Sequence, residues 1–556
     1  SGGGSGGGGG GRRGGVFDEA PPDVAACQLA LSYMMCWGVD LPFDSRCHSD
    51  LGLTPPARSI SFGVRGHGCN FSFLTPRMQA TQHRWQCSAH LTALHSLAAV
   101  SLANTLMMCP GYDDVRNACS GLVTHFSVLL PERLPAFCAP SLSLLARHYV
   151  DSADEVQQAA RALMEGTLLR MSSDVRAQIV GAWSPRVLRV GVPSGGGGAD
   201  LTSPQGVSLL VLAVLGSRFH TPLEPRVANV LVHQLVRLLD HALEAHRAWA
   251  AEVLGKGFHL WRPHLADPPA DTTSGSRPPP ARAELAGGAG SSIGTSPSDL
   301  IRSLFRLSVA RDAEAQAARQ LAGAEGRSTR RSSQNSFQVA LMAVAVAEPR
   351  LFCLAMGDHA VSVSAGSSTR LAALSSVVLL VRSRGLSLER ELPSVVEAVM
   401  RPLDPSVPSM REAALSASTS ALRELVKRYP MMGFHQTTQR LAVGTFEGVV
   451  LVYDLRTATK WRILQGHEAA VSALAFSAQG DQLASASAAD QTLRWWQAGS
   501  TGFFSFLGLQ GSCQHVTPLD LPAAAEPLAL AVEWTSPTDV SVSCNKQLLG
   551  QFTKGV

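Results

Sequence analysis

Between Leu441 and Trp496 the chain reads LAVGTFEGVVLVYDLRTATKWRILQGHEAAVSALAFSAQGDQLASASAADQTLRWW. No other stretch limits the fold as strongly. Tyr453-Asp454 closes one segment and Trp496-Gln497 closes the next, 43 residues apart. Self-similarity at such a period marks a repeat whose units bury their apolar faces by stacking. In the second unit, Val471 to Phe476, Leu483 to Ser487 and Gln491 to Trp496 are short runs of apolar and β-favouring residues. Gly480-Asp481 and Asp490 supply the turns between them. The pattern predicts short antiparallel strands joined by hairpins.

Gly466-His467 opens the second unit. With the closing Trp496 and a period inside about 40–45 residues, the stretch resembles a WD repeat, one four-stranded blade of a β-propeller. In such a blade an imidazole lies over the sheet, a turn Asp orients it, and a strand hydroxyl and the Trp indole extend the network. The candidates are His467, Asp490, Trp496 and either Ser485 or Ser487. A catalytic His-Asp pair competes with this structural reading. Buried polar groups must be paired, and that favours structure. The turn Ser487-Ala488-Ala489-Asp490 is one residue longer than the common form, and Gln497 stands where Asp is usual. Leu528 to Trp534, Asp539 to Ser543 and Gln547 to Phe552 predict a third, partial blade. A propeller needs typically four to eight blades, so the expected fold class is a multidomain α + β chain: HEAT- or armadillo-like helical repeats followed by an incomplete propeller.

The chain has 556 residues, enough for several domains, and begins with Ser1, as expected of a fragment or processed product. Its net charge of +4 is dispersed, and a nucleic-acid binder would show a basic stripe. The 11 cysteines contain no CxxC pair and read as buried thiols in a reducing compartment, with no cofactor implied. No apolar run reaches the length of a membrane span, and no secretory signal is evident. Asn70-Phe71-Ser72 matches a glycosylation sequon, which has no meaning without a secretory route.

Taken in order, residues 1–15 are almost all Gly and predict disorder. Residues 16–192 read as a mostly helical region with HEAT-like pairs. Ala25 to Val39 is helical, Asp40 to Thr54 reads as irregular, and Ile60 to Leu74 reads as a hairpin. His90 to Met108 carries an apolar stripe at helical spacing. Pro140 to Tyr149 and Asp154 to Met171 form a pair in which Asp154 is expected to cap the second helix. Residues 193–204 read as a linker. Residues 205–265 return to helix, with Gln205 to Phe219 followed by one long helix from Pro225 to Leu254 that Gly255 stops. Residues 266–298 are a Pro/Gly/Ser linker. Residues 299–430 carry HEAT-like helices at Leu300 to Leu321, Phe337 to Ala347, Thr369 to Arg384, Glu391 to Met400 and Ser409 to Tyr429. Within that region Glu325 to Ser336 reads as a basic, Ser-rich loop. Residues 433–556 hold the blades.

Few motifs suggest chemistry. Gly255-Lys256 lacks the upstream Gly and the following Ser or Thr of a phosphate loop, since position 250 is Ala and position 257 is Gly. Gly290-Ser291-Ser292-Ile293-Gly294 matches a nucleophile elbow without the strand it requires. His83, Cys87, His90 and His95 form the densest metal-capable cluster, but no second ligand pair follows at zinc spacing. Ordinary helix residues are the favoured reading, so neither a metal nor a catalytic residue is expected.

Several segments resemble the rabconnectin-3 beta family: GKGFHLWRPHL at 255–265, SLANTLM at 101–107, residues 441–476, and the final GQFTKGV. That resemblance implies a scaffold that partners a rabconnectin-3 alpha-type subunit and serves assembly of the vacuolar-type proton ATPase, with a link to Rab regulators. It implies a cytoplasmic protein, peripheral on vesicle or endolysosomal membranes through its partners. A WD/HEAT adaptor of a ubiquitin ligase or trafficking coat is the competing class. An enzyme within residues 16–130 is the third.

Overall fold

The computed structural model describes residues 24–57, 61–65, 70–74, 82–108, 116–188, 200–265, 296–321, 335–362, 366–498, 513–521 and 528–554. The Gly-rich start, the 266–298 linker up to residue 295, most of the basic loop after Glu325 and the Gly290–Gly294 motif lie outside these residues. The chain divides into two compact units, the first up to Leu223 and the second from Glu224 onward.

Among the described residues the first unit is helical apart from one hairpin. Its helices are α1 (Val24–Met34), α2 (Leu41–Leu51), α3 (Ala89–Met108), α4 (Arg116–Thr124), α5 (Leu130–Arg133), α6 (Leu142–His148), α7 (Asp154–Arg170), α8 (Ser173–Leu188) and α9 (Pro204–Phe219). Strands β1 (Ser61–Arg65) and β2 (Asn70–Leu74) pair antiparallel. Consecutive helices pack as α6 on α7 and α8 on α9, while α3 lies along α7. The stretch Asp40 to Thr54 is not irregular. Asp40 caps α2 through the Phe43 amide, Pro42 suits the first turn, and Gly52 closes it in the left-handed region at φ 65°. Phe43, Cys47 and Leu51 are buried at spacings of four, which the polar residues between them hide from a sequence scan.

Asp154 does not cap α7. It sits in the first turn, and the N-cap Ala153 has no side-chain bond. Asp151 does the local work instead: its carboxylate accepts from the Ala153 amide at 3.0 Å and pairs with the buried His148 ring at 2.9 Å. His125 lies in a π-helical turn, His125–Leu129, stacked on Phe43 with ring centroids 4.0 Å apart. Burial holds its pKa down to about 4.

The second unit carries α10 (Pro225–Leu238), α11 (Glu244–Lys256), α12 (Phe258–Trp261), α13 (Pro297–Leu321), α14 (Ser336–Ala347), α15 (Pro349–Val361), α16 (Ser367–Arg384), α17 (Leu392–Met400) and α18 (Pro408–Arg428). The expected long helix from Pro225 is two. The chain breaks after Leu239, and the Arg247 guanidinium donates to the freed carbonyls of His241 and Ala242. Gly255 does not stop α11, which runs to Lys256. A Cβ on Gly255 would lie 2.8 Å from the Ala340 Cα, so Gly allows α11 and α14 to touch. Helix α15 has no counterpart in the sequence reading. Consecutive contacts (α10·α11, α13·α14, α15·α16) and longer ones (α11·α14, α15·α17, α16·α18) build a layered helical array, consistent with helical repeats.

Among the described residues three antiparallel sheets follow. The first has the order β3 (Met432–His435), β4 (Arg440–Gly444), β5 (Val449–Asp454), β6 (Thr459–Gln465). The second comprises β7 (Ala473–Phe476), β8 (Gln482–Ser487), β9 (Thr492–Gln497) and β10 (Cys513–Pro518). The third comprises β11 (Leu530–Trp534), β12 (Asp539–Cys544) and β13 (Gln547–Thr553). Strand β10 is absent from the sequence reading. The first strand of each sheet packs on the next, β3 on β7 and β7 on β11. Small residues make this possible: Ala473, Ala484 and Ala486 share one core with Trp495, Val532, Val540 and Val542. The result is a helical array followed by incomplete propeller blades.

Candidate functional site

Adjacent residues on a strand face opposite sides. Trp495 therefore enters the core between the second and third sheets, and Trp496 turns to the other face. There it meets the loop that opens the second sheet. A Cβ on Gly466 would lie 2.8 Å from the Trp496 ring edge, so only Gly lets the loop lie flat on the indole. The loop delivers His467 over the sheet.

His467 Nδ1 lies 2.8 Å from Asp490 Oδ2, and Nε2 lies 2.8 Å from Ser485 Oγ. Trp496 Nε1 donates to the same Ser485 oxygen at 2.8 Å. One proton arrangement satisfies all of these atoms. The indole N–H donates to Ser485, the Ser485 hydroxyl donates to Nε2, and Nδ1–H donates to the carboxylate. Ser485 is thus the hydroxyl in the network. Ser487 is also fully buried, but its oxygen accepts from the Asp490 amide at 3.4 Å and shapes the longer turn.

Thr492, which the sequence reading did not single out, completes the arrangement. Its hydroxyl donates to Asp490 Oδ1 at 2.7 Å and lies 3.2 Å from His467 Nδ1. Its position two residues after the turn Asp is the only signal that could have named it. The Glu468 amide donates to Asp490 Oδ2 at 3.1 Å, tying the loop down a second time.

In connectivity this is an acid–imidazole–hydroxyl relay, the arrangement of a serine hydrolase. Its surroundings forbid that use. Ser485 is 0% exposed, and its oxygen is held by both the imidazole and the indole. A nucleophile must reach a substrate carbonyl, and this one is sealed under the Gly466-His467 loop.

Burial holds His467 below its ordinary pKa of 6.5, outweighing the pull of Asp490. Burial opposes the charged form of Asp490, yet the bonds from Thr492 and His467 outweigh it and keep the carboxyl below its ordinary range. Both shifts have the same consequence. A histidine with a depressed folded pKa contributes stability that is fully present above about 6.5 and is lost as pH falls. His95, His125 and His359 are shifted the same way, each mainly by burial. The full chain is expected to lose stability progressively below about pH 6.5. Urea melts across that range check this, and His467→Gln should flatten the part of the pH dependence carried by the sheets.

The first sheet is built differently. Tyr453 occupies the place of Trp496, and its hydroxyl donates to Glu397 of α17 at 3.2 Å. Lys460 pairs with the same carboxylate at 3.0 Å. Arg411 of α18 donates to the Arg456 and Leu455 carbonyls at 2.9 and 3.3 Å. This sheet is thus fastened to the helical array. Glu397 is 56 residues from Tyr453, and no local pattern announces the contact.

The metal-capable cluster does not assemble. His83 lies in a short 3-10 turn, Gln82–Trp85, and α3 begins only at Ala89. Cys87 Sγ donates to the His83 carbonyl at 2.8 Å, and His95 Nδ1 bonds the Leu91 carbonyl at 2.8 Å. Among the described residues no group of three metal-ligating side chains converges, and no helix is long and apolar enough to cross a membrane. Residues 459–497 match the family model described as WD domain, G-beta repeat. The match begins on β6 and ends on β9, the stretch that contains the His467 network. The chain therefore carries one matched WD repeat, over residues 459–497.

Proposed function

We propose that the protein is a non-enzymatic scaffold subunit of a rabconnectin-3-like complex that supports assembly of the vacuolar-type proton ATPase and acidification of vesicles and endolysosomes. A WD repeat suggests an interaction scaffold or adaptor. The observation that carries the scaffold reading is the fastening of the first blade to the helical array through Tyr453, Lys460 and Glu397. Joined elements of this kind hold partners in fixed geometry, and stacked helical pairs offer extended surfaces for them. His467, Asp490, Ser485 and Trp496 serve in this reading as the internal frame of the blade, with Ser487 shaping its turn.

The pump, the alpha-type subunit and the Rab regulators come from the resemblance of residues 101–107, 255–265 and 441–476 to the rabconnectin-3 beta family. So do the cytoplasmic location and the peripheral attachment to membranes through partners. Cells lacking the full-length protein should keep their pump subunits but assemble fewer of them on membranes. Lumenal pH should rise, and the ratio of membrane-bound to free catalytic pump sectors should fall. Unchanged pH and assembly, with related proteins removed as well, would overturn the pump reading. Co-purification of ligase or coat subunits in place of pump subunits would favour the adaptor class.

A further inference from the structure

On α18, Thr419, Leu422, Arg423, Val426 and Lys427 recur at the three- and four-residue spacing of one helix face. This face and the β3–β4 hairpin border a groove of about 450 Å³, with Phe434, Gln436 and Gln439 opposite the helix and Leu455 beside them. That size is within the range of sites that hold a small ligand or a few peptide side chains.

The lining is chemically sorted. Leu422 is buried at the base, and Phe434 is 41% exposed, a large aromatic that the fold leaves open. Arg423 and Lys427 are exposed at the rim and lie four residues apart, where like charges repel. Among the described residues neither forms an ion pair, and the lining contains no carboxylate. Two neighbouring acids are already committed, Glu424 to Arg428 at 2.8 Å and Asp454 to Arg456 at 2.7 Å. The Arg411 guanidinium, bonded to the Leu455 carbonyl, brings a third cation to one end.

We propose that this groove docks an acidic–apolar peptide segment of a partner protein. An apolar side chain of the segment covers Phe434, Leu422 and Val426, and its carboxylates meet Arg423 and Lys427. Charge complementarity selects this occupant. A carboxylate between the two cations removes their repulsion, and an apolar neighbour removes the Phe434 ring from water. The proposal rests on the chemistry of the groove and does not depend on the pump reading.

The test uses the full chain and a panel of short fluorescein-labelled peptides in which Leu or Phe is flanked by Asp and Glu at varied spacings. A matched panel carries Lys in place of every acid. Fluorescence anisotropy should show saturable binding by members of the acidic panel and none by the Lys panel. Arg423→Glu with Lys427→Glu, and separately Phe434→Ala, should each weaken that binding by about tenfold or more. Arg423→Gln with Lys427→Gln serves where the charge reversal alters the melt, and urea melts of every variant should match the parent. The proposal is overturned by a panel with no saturable binder, by equal binding of the Lys panel, or by folded variants that bind like the parent. It is equally overturned if phosphatidylserine vesicles bind the protein through Arg423 and Lys427 while no peptide does.

Discussion

Replacing Trp496 with Ala is expected to destabilise the blade region by about 3–5 kcal/mol, the range for deleting a large buried aromatic. The indole is fully buried between β8 and the Gly466-His467 loop. Its removal opens a cavity that a β-sheet cannot close by collapse, because the strands on either side are held by their ladders. It also strips Ser485 of the donor that occupies one of its lone pairs. His467→Ala removes less apolar volume and takes one hydrogen-bond partner each from Asp490 and Ser485, which keep the bonds from Thr492, Glu468 and Trp496, so a smaller loss of about 1–3 kcal/mol is expected. Urea denaturation of the full chain, followed by circular dichroism, reads both. A His467→Ala loss exceeding that of Trp496→Ala would mean that polar pairing, and not packing, dominates the stability of the blade.

Gly448→Ala should cost nearly as much, about 2–5 kcal/mol, combining left-handed strain with overpacking. Gly448 has φ 81°, and an added Cβ would lie 2.4 Å from the His467 carbonyl oxygen and 2.8 Å from that of Ala469. Both obstacles are backbone. The loop cannot retreat, since the Val471 amide donates to the Thr445 carbonyl at 3.1 Å and the Glu468 amide is held by Asp490. The turn between β4 and β5 in one blade thus sets the position of the imidazole in the next. Gly121→Ala is the control, because nothing lies within 4 Å of its added Cβ and it sits in α4. There a neutral or slightly stabilising change is expected. Equal effects at the two sites would mean that the contact between Gly448 and the His467 loop is not a constraint.

The parts of the fold that could be read in advance are those whose signal is local. Strands β7, β8 and β9 alternate and are bounded by Gly480-Asp481 and Asp490, so they were visible within a residue or two. Helices α3, α13 and α18 announce themselves by apolar spacing for the same reason. Helix α2 was missed because its buried face is only Phe43, Cys47 and Leu51 in a polar segment. Strand β10 was missed because it is an outer strand with alternating half-burial and belongs to its sheet only through pairing with β9.

The candidate site divides along the same line. The resemblance of this stretch to a WD repeat was what named His467, Asp490, Trp496 and the pair Ser485 and Ser487. Both serines lie on one strand with the same alternation, so sequence could not choose between them. Only the placement of the indole and the imidazole above β8 selects Ser485. Thr492 enters for a similar reason, since the turn folds its hydroxyl back onto Asp490. The bond from Tyr453 to Glu397 and the open groove beside α18 join residues far apart in the chain. By itself, the sequence determined the repeat period, the local strands and helices, and the residues able to form a polar network, because these depend on neighbours along the chain. Tertiary structure alone decided which hydroxyl is bonded, which glycines must remain glycines and which cations stay unpaired, because each depends on what a distant segment places within a few ångströms.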